Sequence, residues 1–210
     1  MARALDVVGD RWTLLIVREL LIQGPLRFGE LERGLPGIAT NLLTQRLRHL
    51  QENEVLTQEP APGGGTTRYR LTDRGMALDG VLRELLKWGA PTLPYAPPDA
   101  TFQMHWLSQP AKYLLRDLWP HDPAVTLRFG SLADGFDLTA HKGTITVAPC
   151  STDAKISATV SGPGSVLVAL LQGGIDLQAA TSSGVVIQGD STVLTRVLPQ
   201  PSIQVSGQCT

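Results

Sequence analysis

Helical periodicity dominates the first part of the chain. Apolar residues recur at helical spacing in residues 7–22 and 27–35, and a third amphipathic segment follows a Pro36-Gly37 turn. In this third segment Leu43, Leu47 and Leu50 share one face. The opposite face carries four short or basic polar side chains, which are Asn41, Thr44, Gln45 and Arg48. The pattern predicts three helices, the last two of which meet at a tight corner.

A predicted hairpin and a fourth helix follow the three helices. Residues 55–59 and 66–71 alternate as strands do, and the glycine-rich segment 60–65 would form their turn. Thr72 is positioned to cap the next helix. That helix has a wide apolar stripe, made up of Leu78, Val81, Leu82, Leu85 and Trp88. One small domain would struggle to cover this stripe, so we expect part of it to meet a partner.

The pattern changes from helices to strands beyond a proline-rich segment. Proline removes a backbone donor and clashes with the preceding helical turn, so we predict a linker over residues 91–101 between domains 1–90 and 102–210. Three strands then alternate between apolar and polar positions, with their apolar positions at Val125, Leu127, Phe129, Phe136, Leu138, Ile145 and Val147. This alternation predicts a sheet with one buried and one solvated face. Residues 166–171 and 193–197 would cover the buried face.

Composition and motifs limit the function classes. The chain has 210 residues, 42% of them hydrophobic, and a net charge of −1, which argues against a strong nonspecific nucleic-acid binder. We find no signal peptide, no membrane-length apolar run and no disulfide framework, so we expect a cytoplasmic protein without a membrane partner. The usual nucleotide-binding, nucleophile and metal motifs are missing. We therefore expect no enzymatic activity, no cofactor and no metal.

Five segments of the first part of the chain carry a family resemblance, namely residues 4–16, 27–31, 35–38, 43–47 and 69–75. In this order they make residues 3–90 resemble the HxlR family of winged-helix transcription regulators, a branch near the MarR group. It implies a homodimer that binds a palindromic DNA operator, with the first and last helices of the domain forming the dimer contact.

The chain departs from the HxlR pattern in two places. The family commonly has a serine at the start of the recognition helix, where this chain has Ala39, so we expect Thr40 to cap the helix instead. The redox-sensing cysteine that many members carry just upstream of residues 3–5 is missing. We therefore expect no thiol sensing by that route.

The candidate DNA-binding residues lie on the third helix, at the start of the second helix and on the hairpin. Amide and guanidinium groups can hydrogen-bond base edges and phosphates. The candidates are Arg27, Thr40, Asn41, Thr44, Gln45, Arg46, Arg48, Arg68 and Arg70. Arg46 lies beside the apolar edge, where pairing with an acidic neighbour and contact with phosphate are both open. An ordinary solvated surface remains the alternative for Arg68 and Arg70.

A second resemblance rests on six segments of the second part, namely residues 127–129, 135–138, 145–147, 154–160, 167–177 and 185–190. Through them residues 106–198 resemble a sterol-carrier-protein-like domain. It implies a curved, mainly antiparallel sheet flanked by helices around an apolar tunnel, which would give the whole chain an α+β fold. The candidate ligand-binding residues are Trp106, Leu127, Phe129, Phe136, Leu138, Ile145, Val147, Leu167, Leu170 and Leu171. A packed core that holds no ligand is the alternative.

These observations predict a homodimeric transcription regulator that acts as a repressor. A small apolar or aromatic ligand in the second domain would modulate its operator affinity. Two other interpretations stay open. The protein could be a carrier of lipids or small molecules whose winged helix serves only dimerisation, or a constitutive regulator whose second domain is a packed scaffold.

Overall fold

The chain divides into two compact units, residues 1–91 and 92–210. The computed structural model describes residues 1–63, 65–89 and 101–199. The predicted proline-rich linker at 91–101 lies outside the described residues except for Thr101. Within the described ranges, no helix combines the length and the apolar character that crossing a membrane requires.

The first unit contains six helices and a three-stranded sheet in its described residues. In chain order they are α1 (Ala2–Val8), α2 (Arg11–Gln23), β1 (Leu26–Arg27), α3 (Phe28–Gly34), α4 (Thr40–Glu52), β2 (Leu56–Pro60), β3 (Thr67–Leu71), α5 (Asp73–Met76) and α6 (Asp79–Gly89). The sheet has the order β1-β3-β2 with antiparallel pairs. The predicted helices and the hairpin are therefore confirmed, with two differences: the helix predicted over 7–22 is interrupted, and the helix predicted after Thr72 is divided into α5 and α6.

Side-chain capping sets the helix boundaries. The helix predicted over 7–22 is interrupted at Asp10, whose carboxylate accepts the backbone N–H groups of Trp12 at 2.9 Å and Thr13 at 3.3 Å and so begins α2. The predicted cap at Thr72 is confirmed, because its hydroxyl accepts the N–H of Gly75 at 3.2 Å. The cap predicted at Thr40 is wrong. Ala39 occupies the N-cap of α4 without a side-chain bond, and the Thr40 hydroxyl donates to Glu32 instead.

The helices of the first unit pack around one apolar core. Its fully buried members include Ile16 and Val17 from α2, Leu31 from α3, and Leu43, Leu47 and Leu50 from α4. Only part of the predicted apolar stripe over residues 78–88 is buried. Leu78 and Leu82 pack against the core, whereas Val81, Leu85 and Trp88 are 46%, 45% and 82% exposed. The prediction that the unit leaves part of this stripe uncovered is confirmed.

The second unit is built on a five-stranded sheet. Its described elements are a 3-10 helix (Met104–Leu107), α7 (Ser108–Leu114), β4 (Val125–Gly130), β5 (Gly135–His141), β6 (Thr144–Pro149), β7 (Ala158–Ser161), α8 (Gly164–Leu171), α9 (Leu177–Ser182), β8 (Val186–Gly189) and a second 3-10 helix (Ser191–Arg196). The strand order is β6-β5-β4-β7-β8. Only the β4–β7 pair is parallel among the described strands. The mixed α+β class and the mainly antiparallel sheet are confirmed.

The two faces of this sheet differ as the alternation predicts. Leu127 pairs with Leu138, and Phe129 pairs with Phe136, whose ring stacks on it at 5.1 Å between centroids. These side chains are buried together with residues of α8 and the second 3-10 helix. On the opposite face Arg128 lies opposite Asp137.

A buried ion pair that the sequence pattern did not predict ties the second unit together. Arg196 donates two hydrogen bonds to Asp117, from Nε at 2.7 Å and from Nη2 at 3.0 Å. Asp117 also accepts the N–H groups of Gly143 and Trp119 at 3.0 and 3.1 Å. The hydrogen bonds from Arg196 are the main cause that lowers the pKa of Asp117 to about 2. This pair links the second 3-10 helix to the segment that precedes β4.

Candidate nucleic-acid interface

Helix α4 presents a polar face to solvent because its apolar face is buried in the core. Leu43, Leu47 and Leu50 are buried, which fixes the rotation of the helix about its own axis. The four predicted polar residues Asn41, Thr44, Gln45 and Arg48 are all exposed. The solvent-facing side of α4 therefore has the composition that the sequence predicted.

The exposed residues of α4 differ in whether their side chains form hydrogen bonds within the protein. The Thr44 hydroxyl donates to the Thr40 carbonyl at 2.9 Å, and the Asn41 side-chain oxygen accepts the N–H of Leu42 at 2.8 Å. Gln45 and Arg48 form no hydrogen bond or ion pair with any residue that the structure describes. These two side chains keep their full hydrogen-bonding capacity for an external partner.

Arg46 pairs with an acidic neighbour, one of the two alternatives that the sequence left open. Its Nη2 atom donates to Oδ2 of Asp10 at 3.1 Å. Because the other oxygen of Asp10 caps α2, the pair joins α4 to the start of α2. Arg46 thus positions α4 in the absence of DNA, and its contact with phosphate stays a prediction.

The two arginines of the hairpin share one carboxylate. Arg68 Nη2 and Arg70 Nε lie 3.0 Å from the two oxygens of Glu59 on the neighbouring strand. The strand register explains this arrangement, since Glu59 is the direct partner of Arg68. Sequence reasoning missed Glu59, although its place in the predicted strand opposite Arg68 was a usable signal. The three side chains together carry a net charge of +1.

The same sheet brings Arg27 next to the hairpin arginines. Arg27 is exposed and ends β1, where it lies directly opposite Arg68 of β3. Its backbone N–H donates to the carboxylate of Glu30 at 2.6 Å, at the beginning of α3. Three of the predicted phosphate-binding residues are therefore contributed by one small sheet, separate from the face of α4.

The ten predicted ligand-binding residues occupy the second unit. Seven of them are fully buried in its core, which are Leu127, Phe129, Phe136, Leu138, Leu167, Leu170 and Leu171. Ile145 and Val147 are partly buried and pack against this core, and Trp106 is partly buried on the first 3-10 helix. The arrangement is that of tightly packed side chains, and binding of a ligand among them stays a prediction. The described residues hold no cluster of three His, Cys, Asp or Glu side chains that could bind a metal ion.

Comparison with known proteins assigns the first unit to a family. Residues 7–96 match the HxlR-like helix-turn-helix family. The HTH-type transcriptional regulator YvaP of Bacillus subtilis (strain 168) is 38% identical over 87 residues, which cover 41% of this chain and 80% of YvaP. YodB of the same strain, an HTH-type transcriptional regulator, is 35% identical over 89 residues, which cover 42% of this chain and 79% of YodB.

Among solved structures, one that is similar to this chain is also a transcriptional regulator. The reduced form of the transcriptional regulator YodB from B. subtilis is 31% identical, covers 46% of this chain and 95% of that chain, and has a TM-score of 0.39. On the family match and the identity to YvaP, the chain belongs to the HxlR-like helix-turn-helix family. The family match ends at residue 96, and the sterol-carrier resemblance of the second unit stays a prediction.

Proposed function

We propose that the protein is a transcription regulator whose first unit binds double-stranded DNA with α4 in the major groove. The observation that carries this proposal is the exposed polar face of α4, held outward by three buried leucines. A helix of this kind fits the major groove, where amide and guanidinium groups read base edges. The names of YvaP and YodB as HTH-type transcriptional regulators support the same function.

In this proposal the small sheet binds the DNA backbone. Arg27, Arg68 and Arg70 would contact phosphates, which position a protein on the duplex without reading its sequence. Arg68 and Arg70 would exchange the carboxylate of Glu59 for phosphate oxygens, and their ion pairs at the protein surface are weak enough for that exchange.

We also propose that the protein acts as a homodimer. Val81, Leu85 and Trp88 of α6 and Leu5 of α1 are large apolar side chains that the described residues leave exposed. Such a surface favours a protein partner, and a second copy would pair it with itself. A two-fold dimer requires a palindromic operator whose half-sites lie about 34–36 Å apart. We propose repression as the outcome, as the HxlR resemblance implies.

Operator binding by purified variants tests the DNA assignment. We expect Arg48→Ala and Asn41→Ala each to weaken binding to a site in the DNA flanking the protein's own gene by about 1–3 kcal/mol. Arg116→Ala is the matched control, because this exposed arginine belongs to the second unit. Undiminished specific binding by both α4 variants would overturn the assignment of α4. No protected site in footprinting would favour the carrier protein whose winged helix serves only dimerisation.

A modulating ligand in the second unit is the last part of the proposal. A small apolar or aromatic molecule would change operator affinity only if it bound two states of the protein with different affinity. Thermal melts against a panel of apolar compounds test for it, because a ligand of the native state must raise the melting temperature. A melting temperature that no compound changes would favour a constitutive regulator with a scaffold domain.

A further inference from the structure

A recess of about 440 Å³ lies on the polar face of the second sheet, opposite the apolar core. Strands β4 and β5 form its floor, and the connection between β6 and β7 forms one of its walls. The lining residues are Ala124, Thr126, Asp137, Thr139, Ala148, Pro149, Ser151, Ala154, Lys155 and Ser157. The predicted apolar ligand residues are not among them, so the recess is a separate candidate site.

Hydrogen bonds fix the wall of the recess at both ends. Near its beginning, the Ser151 N–H donates to Asp137 at 3.0 Å, and Arg128 donates to the Ser151 carbonyl at 2.6 Å. At its end, the Ser157 N–H donates to the Thr126 carbonyl at 2.9 Å. The connection is thus anchored to the strands on both sides of the recess. This anchoring makes the recess part of the fold, so that a ligand would meet a largely pre-formed site.

The charge of the recess favours an anion. The carboxylate of Asp137 is neutralised by Arg128, which donates to its two oxygens at 2.7 and 2.8 Å. Lys155 is exposed and forms no ion pair or hydrogen bond with any residue of the described ranges. The remaining charge at the recess is therefore that of one ammonium group.

The floor of the recess adds a hydroxyl group that can donate a hydrogen bond to an anion. The hydroxyls of Thr126 and Thr139 lie 2.9 Å apart and share one hydrogen bond. Because that bond uses only one of their two protons, the other proton is available to a ligand oxygen. The rest of the lining includes short apolar side chains, which are Ala124, Ala148, Pro149 and Ala154.

We propose that this recess binds a small organic carboxylate. The carboxylate would lie between Lys155 and the threonine hydroxyls, and a short apolar body would contact the alanine and proline side chains. At about 30 Å³ for each water molecule of the liquid, the volume corresponds to roughly fifteen waters, which suits a small acid. The site goes beyond the proposed function, and binding to it requires no DNA.

Calorimetry and thermal melts of the full chain test the proposal at constant ionic strength and without DNA. The probes are benzoate and butyrate, each compared with its neutral amide, benzamide or butyramide. We expect the carboxylates to bind saturably and to raise the melting temperature, whereas the amides bind more weakly. Lys155→Gln should reduce carboxylate affinity about tenfold, which corresponds to about 1.4 kcal/mol. Lys155→Arg keeps the charge and should retain most of the affinity.

Two controls make the result decisive. Lys142→Gln removes another exposed lysine of the same unit, outside the recess, and should leave carboxylate affinity unchanged. Thr126→Val combined with Thr139→Val removes both hydroxyls from the floor and should weaken the carboxylates more than the amides. Equal binding of acids and amides, an unchanged affinity in Lys155→Gln, or no binding at millimolar concentration would overturn the proposal. None of these outcomes bears on operator binding by α4, so the two proposals fail independently.

Discussion

Two arginine–carboxylate pairs of the chain differ in burial: the Arg46–Asp10 pair of the first unit lies at the surface, and the Arg196–Asp117 pair of the second unit lies in the interior. In the first unit, the Arg46 and Asp10 side chains are 31% and 37% exposed. In the second, the Arg196 and Asp117 side chains are 4% and 0% exposed. A pair at the surface contributes about 0–1 kcal/mol and changes partners readily, whereas losing one member of a buried pair leaves an uncompensated charge. Similar pairs therefore suit a binding surface in one unit and hold the structure together in the other.

The largest expected effect of this difference is on the stability of the second unit. Arg196→Met leaves the Asp117 carboxylate buried without its cation, so we expect the free energy of unfolding to fall by about 3–5 kcal/mol. Urea unfolding followed by circular dichroism measures it. Arg116→Met, at an exposed position, is the control and should cost far less. Combining Arg196→Met with Asp117→Leu should restore part of the loss, because both charges are then gone. A loss below about 1 kcal/mol would contradict the role of the buried pair.

Acid should lower the free energy of unfolding of the second unit by protonating the same carboxylate, that of Asp117. The pKa of Asp117 is about 2 in the folded protein and 3.8 in its ordinary state, so folding favours the charged form. The resulting stabilisation, about 2 kcal/mol, is present above pH 3.8 and is lost as the pH falls through about 2. Unfolding of the wild type and of Asp117→Asn from pH 6 to about pH 2 measures the difference between them, which should shrink towards acid pH. A difference that stays constant over this range would show that Asp117 does not provide the pH dependence.

How far the sequence predicts each unit depends on whether the determining contacts are local. The exposed face of α4 follows from the spacing of Leu43, Leu47 and Leu50, because amphipathic periodicity needs only neighbouring residues. The break at Asp10 was missed, since one capping residue interrupts an apolar pattern that otherwise reads as one helix. The choice of cap at the start of α4 failed because Ala39 has the extended backbone of the N-cap and Thr40 is already the first helical residue, whose hydroxyl donates to Glu32.

Longer-range contacts were beyond prediction from the pattern. The alternation in β4 and β5 predicts which face is buried, but it carries no information on strand order or register. Arg196 and Asp117 are 79 positions apart, so no local spacing could pair them. The polar recess arises only when the connection between β6 and β7 returns across the sheet. These features depend on tertiary structure and on pairing of distant segments.

A substitution in the hairpin of the first unit should raise operator affinity, whereas the α4 substitutions should lower it. Glu59→Gln removes the carboxylate that both Arg68 and Arg70 bind, so the two arginines become available to phosphate. We expect operator affinity to rise by up to about fivefold, or about 1 kcal/mol, with a steeper dependence on salt. Fluorescence anisotropy with labelled operator DNA at several salt concentrations measures both. Glu52→Gln, on α4, also removes one negative charge but releases no arginine that the structure describes. Equal gains in the two variants would mean that only net charge matters.

The smallest expected effect concerns Arg46, which the structure assigns to positioning. Arg46→Met removes its bond to Asp10 but leaves the cap of α2 intact, so the free energy of unfolding should fall by less than about 1 kcal/mol. Asp10→Ala removes the cap as well and should cost more, by about 0.5–2 kcal/mol. Operator affinity should fall less in Arg46→Met than in Arg48→Ala, because Arg48 alone of the two forms no hydrogen bond or ion pair with the described residues. If Arg46→Met instead weakened operator binding as much as Arg48→Ala with its stability unchanged, Arg46 would have to leave Asp10 and bind DNA directly. The exchange of carboxylate for phosphate that we propose for the hairpin arginines would then also apply to Arg46 of α4.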